Sequence, residues 1–110
     1  SELALFEGKV IIEADDNLGY SFVLNTPSTK ATVSGTNFLA EYQQDLLFND
    51  VDYSIFTVLK GIIELENLNS NLSMYLLNGE TVVSTDGGRF LRLDTFREPQ
   101  GIVNSLLEFR

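Results

Sequence analysis

The chain reads as an all-β domain in which two repeated β units pack as a sandwich or as a short flattened β-solenoid. Three observations lead there. β-Branched and aromatic residues gather in short runs, turn residues separate those runs at short intervals, and a shift of 53 residues lays one part of the 110-residue chain on another. The helical period is almost absent.

The elements follow in order. Leu5-Phe6 and Val10-Ile11-Ile12 flank Gly8, and after Asp15-Asp16-Asn17 comes the run Tyr20 to Leu24, closed by Asn25-Thr26-Pro27. That is strand, turn, strand. Thr32-Val33-Ser34 leads through Gly35-Thr36 into Phe38 to Tyr42, and the glycine inside a strand pattern predicts a bend at Gly35, with either a bulge or close backbone packing. Tyr53 to Leu59 meets Gly61, and Ile62-Ile63-Glu64-Leu65-Glu66 follows with Ile63 and Leu65 on one face, Glu64 and Glu66 on the other. Leu72 to Leu77 ends at Asn78-Gly79, a pair suited to a tight turn, which predicts a hairpin with Thr81-Val82-Val83. After Asp86-Gly87-Gly88, the residues Phe90, Leu91, Leu93 and Phe96 interleave with Arg89, Arg92, Asp94 and Arg97, as on a half-exposed strand. The tail from Ile102 to Phe109 fits a short helix about as well as a last strand, and is assigned here to a short helix.

The internal similarity places Gly8 on Gly61. Phe6 to Glu13 falls on Leu59 to Glu66, and Phe22-Val23-Leu24-Asn25 on Tyr75-Leu76-Leu77-Asn78. Two hairpin-like units that each cover the other's apolar face account for this; chance similarity between β hairpins is the alternative.

Composition narrows the function. At 44% hydrophobic and 21% charged, the chain can bury one domain's core. A net charge of −9 repels phosphate backbones and anionic lipids, which argues against nucleic-acid binding. With neither His nor Cys, the chain holds no Ser-His-Asp or Cys-His machinery, no imidazole or thiolate zinc site and no disulfide. No apolar run approaches the roughly 20 residues of a membrane helix, and the first residues lack the pattern of a signal peptide. The start at Ser1-Glu2-Leu3, without Met, fits either a processed product or a domain excised from a longer protein, and is read here as the latter.

The stretch from Asn25 to Leu39 resembles the FecR-type sensor domain. The matching elements are Gly8 to Val10, Thr26-Pro27, Gly35-Thr36-Asn37-Phe38, and Val58-Leu59-Lys60-Gly61 running into Ile62-Ile63, with coverage from about Leu5 to Val83. The resemblance implies the periplasmic module of a transmembrane regulator, of the anti-sigma factor or sigma-regulator type. Such a module couples an outer-membrane receptor to a sigma factor, with iron uptake as one setting. It further implies a protein partner, the receptor's periplasmic signalling domain, met by contact at a strand edge or apolar patch. The anchoring membrane helix and the cytoplasmic region would lie in parts of the parent protein outside this chain. The motif residues Gly8, Thr26, Pro27, Gly35, Thr36, Phe38 and Gly61 are expected to be structural.

No catalytic set, cofactor site or metal site assembles in the sequence. Asp15-Asp16-Asn17 with Glu13 offers the oxygen ligands that calcium takes, but the EF-hand spacing is missing and Asp and Asn favour turns. Asp45, Asn49, Asp50 and Asp52 form a second acidic loop around Leu46-Leu47-Phe48, apolar residues expected in the core, with a partner's contact as the alternative. Glu64 and Glu66 point the same way from one strand, which is not the opposed pair of a glycosidase. Arg89, Arg92 and Arg97 have the chemistry of an anion clamp, yet surplus acids are their nearer partners. A non-enzymatic signalling domain is therefore the leading expectation. The alternatives are a carbohydrate- or surface-binding domain using Tyr20, Tyr42, Tyr53 and Tyr75 as stacking platforms with calcium in the acidic turns, and a carboxylate-only hydrolase.

Overall fold

A computed structural model describes residues 2–13, 22–44 and 52–93. The strands are β1 (Glu2–Ala4), β2 (Gly8–Glu13), β3 (Phe22–Asn25), β4 (Thr29–Val33), β5 (Asn37–Gln43), β6 (Tyr53–Lys60), β7 (Ile62–Asn67), β8 (Ser73–Leu77), β9 (Thr81–Thr85) and β10 (Phe90–Arg92). They form two five-stranded sheets, β1-β3-β4-β7-β8 and β10-β9-β6-β5-β2, packed as a sandwich. Every pairing is antiparallel except β1 with β3. The predicted C-terminal helix at 102–109 lies outside the described residues.

Strand alternation builds the interior. The first sheet sends in Leu24, Ala31, Val33, Ile63, Leu65 and Leu76, and the second sends in Phe38, Ala40, Phe56, Val58 and Val82, all in one buried cluster. Each large member contributes roughly 1.5–3 kcal/mol by leaving water, more than any single surface contact. Ile63 and Leu65 are fully buried while Glu64 is exposed and Glu66 half-buried, as their alternation predicts. β6 is buried on both faces from Tyr53 to Val58, because Tyr53 and Ile55 pack outward with Val83 in a second cluster. Its nearly unbroken apolar run suits a central strand.

Two expectations about pairing are overturned. Asn78-Gly79 does make a tight turn, with Glu80 N–H donating to the Leu77 carbonyl at 2.9 Å. Yet β8 pairs with β7, and β9 with β6 and β10, so no hairpin joins β8 to β9. The turn is an arch from one sheet to the other. Leu76 and Val82, on its two sides, both point into the common core, and they reach it from opposite layers. The repeat also splits. β7 and β8 form a hairpin within one sheet, whereas β2 pairs with β5 in one sheet and β3 with β4 in the other. What the two units share is a glycine of positive φ (86° at Gly8, 108° at Gly61) at the entry to an alternating strand.

The arches at Gly35 and Gly61 lie against each other. Thr36 Oγ1 is 2.8 Å from the Ile62 carbonyl and 3.0 Å from that of Ser34, so its one proton serves either or both. The third arch docks on the second, with Gly79 N–H donating to the Val58 carbonyl at 2.8 Å and Val58 N–H to that of Glu80 at 3.0 Å.

At the opposite end of the sandwich the interior turns polar. Ser54 Oγ on β6 lies 2.7 Å from both Thr26 Oγ1 and Ser28 Oγ, in the turn between β3 and β4. Thr29 Oγ1 donates to Ser84 Oγ at 2.6 Å, and Asn67 Nδ2 donates to Ser84 Oγ at 3.0 Å and to the Thr85 carbonyl at 2.8 Å. The bonds of Ser54, Ser84 and Asn67 just given each join the two sheets. They are stabilising because both partners are satisfied; removing one strands the other away from water.

Two outcomes test this account by urea denaturation. Gly61→Ala would put a Cβ 2.8 Å from Thr36 Oγ1 and 3.2 Å from the Gly35 carbonyl at φ +108°, and is expected to cost about 1–3 kcal/mol or more. Gly8→Ala, with nothing within 4 Å, should cost less. Asn67→Ala is expected to lose about 1–3 kcal/mol, and a cycle with Ser84→Ala should show the two costs to be non-additive.

Candidate interaction surface

The seven motif residues are spread over the sandwich and do not form one site. Gly35, Thr36 and Gly61 meet at the stacked arches. Phe38 is fully buried in the core. Thr26 sits at the polar end with Pro27 exposed beside it, and Gly8 marks the separate crossing from β1 to β2. Thr26 alone of the set touches the inter-sheet network, whose other members sequence reasoning passed over. Their only signal was a hydroxyl or amide at inward positions of the strands, as in Ser54 of β6 and Ser84 of β9.

The acids and tyrosines take separate roles. Tyr42, only 3% exposed, donates its phenol proton toward Asp86 (3.1 Å to Oδ2), with Asp52 Oδ2 at 3.4 Å. Burial, the Asp86 charge and hydrogen bond, and then Asp52 push the phenol well above its ordinary range. Burial pushes the Asp86 carboxyl up; the Tyr42 hydrogen bond pulls it back, and the Asp52 charge raises it again. Tyr53 is also buried, so neither Tyr42 nor Tyr53 offers a ring to a sugar; Tyr75 is 61% exposed. Tyr20, Arg97, the Asp15-Asp16-Asn17 turn and residues 45–51 of the second acidic loop lie outside the described residues. Glu64 and Glu66 stand on the outward face of β7 in register with Thr32 and Lys30, not opposite each other. Glu41 is buried on β5, accepting from Gln43 Nε2, and its Oε1 has no hydrogen-bond partner among the described residues.

Among the described residues, the fold offers a partner strand edges and an apolar patch on the β7–β8 face. On one side, Arg92 of β10 reaches across the sandwich, pairing with Glu80 at 3.2 Å and donating from Nη2 to the Tyr75 carbonyl at 3.2 Å. Glu80 Oε1 accepts from Leu77 N–H at 2.7 Å. The ion pair, part-exposed, is worth about 0–1 kcal/mol. Its larger effect is steric, since Glu80 and Arg92 occupy backbone groups on the free edge of β8. Beside that edge, on the outward face, Ile62 and Leu77 stand opposite each other in register, with Tyr75 next along the strand. They are 54%, 45% and 61% exposed, a contiguous apolar patch flanked by Glu64.

The Tyr42 cluster makes a signed prediction. Below about pH 10 the phenol is protonated both folded and unfolded. Above it the unfolded chain releases a proton that the folded chain keeps, so stability falls as pH rises. Tyr42→Phe removes this term. In thermal melts across about pH 8 to 11, the variant's midpoint should fall less steeply than that of the unaltered protein.

No protein-family profile matches the chain, and no curated protein does either. Solved structures do. Two crystal structures from Parabacteroides distasonis, each described as a "putative anti-sigma factor", share the fold. One superposes with a TM-score of 0.63 at 22% identity over 92% of this chain, the other with 0.59 at 23% over 78%. The chain spans 43% and 38% of those proteins' own lengths. At these identities the likeness establishes the fold.

Proposed function

We propose that this chain is a non-enzymatic signalling domain of a FecR-like transmembrane regulator of the anti-sigma factor class. It works in the periplasm and relays the state of an outer-membrane receptor to a sigma factor by protein contact. The observation that carries this reading is the shared fold with the two Parabacteroides proteins over most of the chain. The ordered motifs support it, because Gly35-Thr36 and Gly61 stack as the arches that set this fold.

The contact surface for this role is the outward patch of Ile62, Tyr75 and Leu77. It combines apolar area with an aromatic anchor whose ring orders at little entropic cost. Nothing in the relay requires a reactive group, since affinity comes from burying this patch and specificity from the acids around it.

The test pairs a binding measurement with a cellular one. Calorimetric titration with the periplasmic signalling domain of the cognate receptor should show binding. Ile62→Glu or Tyr75→Ala should weaken it by about tenfold or more, the loss expected for a central anchor, with melting temperature little changed. In cells, the same changes in the full-length regulator should uncouple a sigma-dependent reporter from the inducer. Absence of binding to any receptor periplasmic domain, together with an unaltered reporter, would reject the reading.

A further inference from the structure

The sandwich has four strand edges, and they are unequal. β1 and β10 are three residues long, and β8 has its outward groups occupied by Glu80 and Arg92. β2 runs for six residues and, among the described residues, is paired on one side alone, with β5. Along it, Lys9, Ile11 and Glu13 are exposed on the outward face, and Val10 and Ile12 are half-buried against the core.

The segment Lys9-Val10-Ile11-Ile12-Glu13 is self-complementary about Ile11. Laid antiparallel on a second copy with Ile11 opposite Ile11, it sets Lys9 against Glu13 at both ends and Val10 against Ile12 on the core side. The period of two along a strand forbids registers shifted by one residue, which would turn outward side chains toward the core. Of the nearest permitted shifts, one puts Glu7 opposite Glu13 and Lys9 opposite Ile11; the other puts Ile11 opposite Glu13. Within Lys9–Glu13, only the centred register answers each charge with its opposite and each apolar side chain with another. Leu39 on β5 stands in register with Ile11, so the centred pairing extends an apolar row across both copies.

We infer that the β2 edge is an interface between two copies of this chain, joined about a two-fold axis at Ile11 into one continuous sheet. An edge lysine ordinarily deters strand pairing. Here Glu13 of the second copy meets Lys9, and the same charge becomes a means of recognition. The symmetry is isologous, so each substitution acts twice. β2 and the Ile62 patch lie at opposite edges of the sandwich, which leaves a receptor-binding surface open on both copies. The inference stands independently of the signalling role.

Sedimentation equilibrium of the 110-residue chain tests it, at an ionic strength near 0.15 M, where the mutual repulsion of two acidic molecules is screened beyond about 8 Å. A concentration-dependent monomer–dimer equilibrium is expected. Lys9→Glu sets acid against acid twice, and Glu13→Lys sets base against base twice; each should raise the dimer Kd by about tenfold or more. The double variant Lys9→Glu/Glu13→Lys should restore the original Kd, and circular dichroism with thermal melting should show all three variants folded. A monomer at every concentration, a dimer indifferent to the single reversals, or a double variant that fails to recover would each overturn the inference.

Discussion

The close approach of the Gly61 arch to Gly35 and Thr36 is the constraint on which the rest of this molecule depends. At that point the chain passes from one sheet to the other, and no Cβ fits between the two crossings. Because β4 and β5, β6 and β7, and β8 and β9 are joined by arches and not by hairpins, sequential strands face one another through side chains. That geometry makes one core from both layers. It also explains why inward residues on either side of each turn are apolar, as with Val33 and Phe38, Val58 and Ile63, and Leu76 and Val82.

The two ends of the sandwich are held by different physics. At the arch end, backbone lies on backbone and the bonds are those of carbonyls with N–H groups and the Thr36 hydroxyl. At the other end, short hydroxyl side chains and Asn67 reach across the interior, each finding a partner in the opposite layer. Such groups are costly in an apolar core only when unpaired. Paired, they select one sliding position of the two sheets, because a shift along the strands breaks several bonds at once. Tyr42 and Asp86 extend the same logic to the rim, where a phenol proton lies between two carboxylates.

The sides are unequal as well. Glu80 and Arg92 close one side by taking the backbone positions that an added strand needs, while the apolar patch beside them remains available for side-chain contact. Among the described residues, the β2 side keeps an unpaired backbone row and a charge pattern that matches its own reverse. For the contact role proposed above, a module needs surfaces that admit chosen partners and refuse general aggregation, and the two sides would meet that need by different means.

Local pattern reached the β architecture because alternation is a property of neighbouring residues: Ile63 and Leu65 inward with Glu64 outward follow from the pleat whatever else the chain does. Turn positions were legible for the same reason, since Asn78-Gly79 and Gly35 announce backbone conformations that other residues resist. Whether a turn joins paired neighbours or opposite layers depends on which distant strand offers hydrogen bonds, and β9 found β6 while β8 found β7. The fate of each tyrosine and serine was hidden likewise, because the partners of Tyr42 and the convergence of Ser54, Thr26 and Ser28 are set by residues up to 44 positions apart in sequence. The chain by itself thus determined the strands, the turns and the absence of imidazole and thiol chemistry, all short-range or compositional. The tertiary structure decided the pairing, the inter-sheet polar contacts and the difference between closed and open edges, because those arise only when segments far apart compete for the same partners.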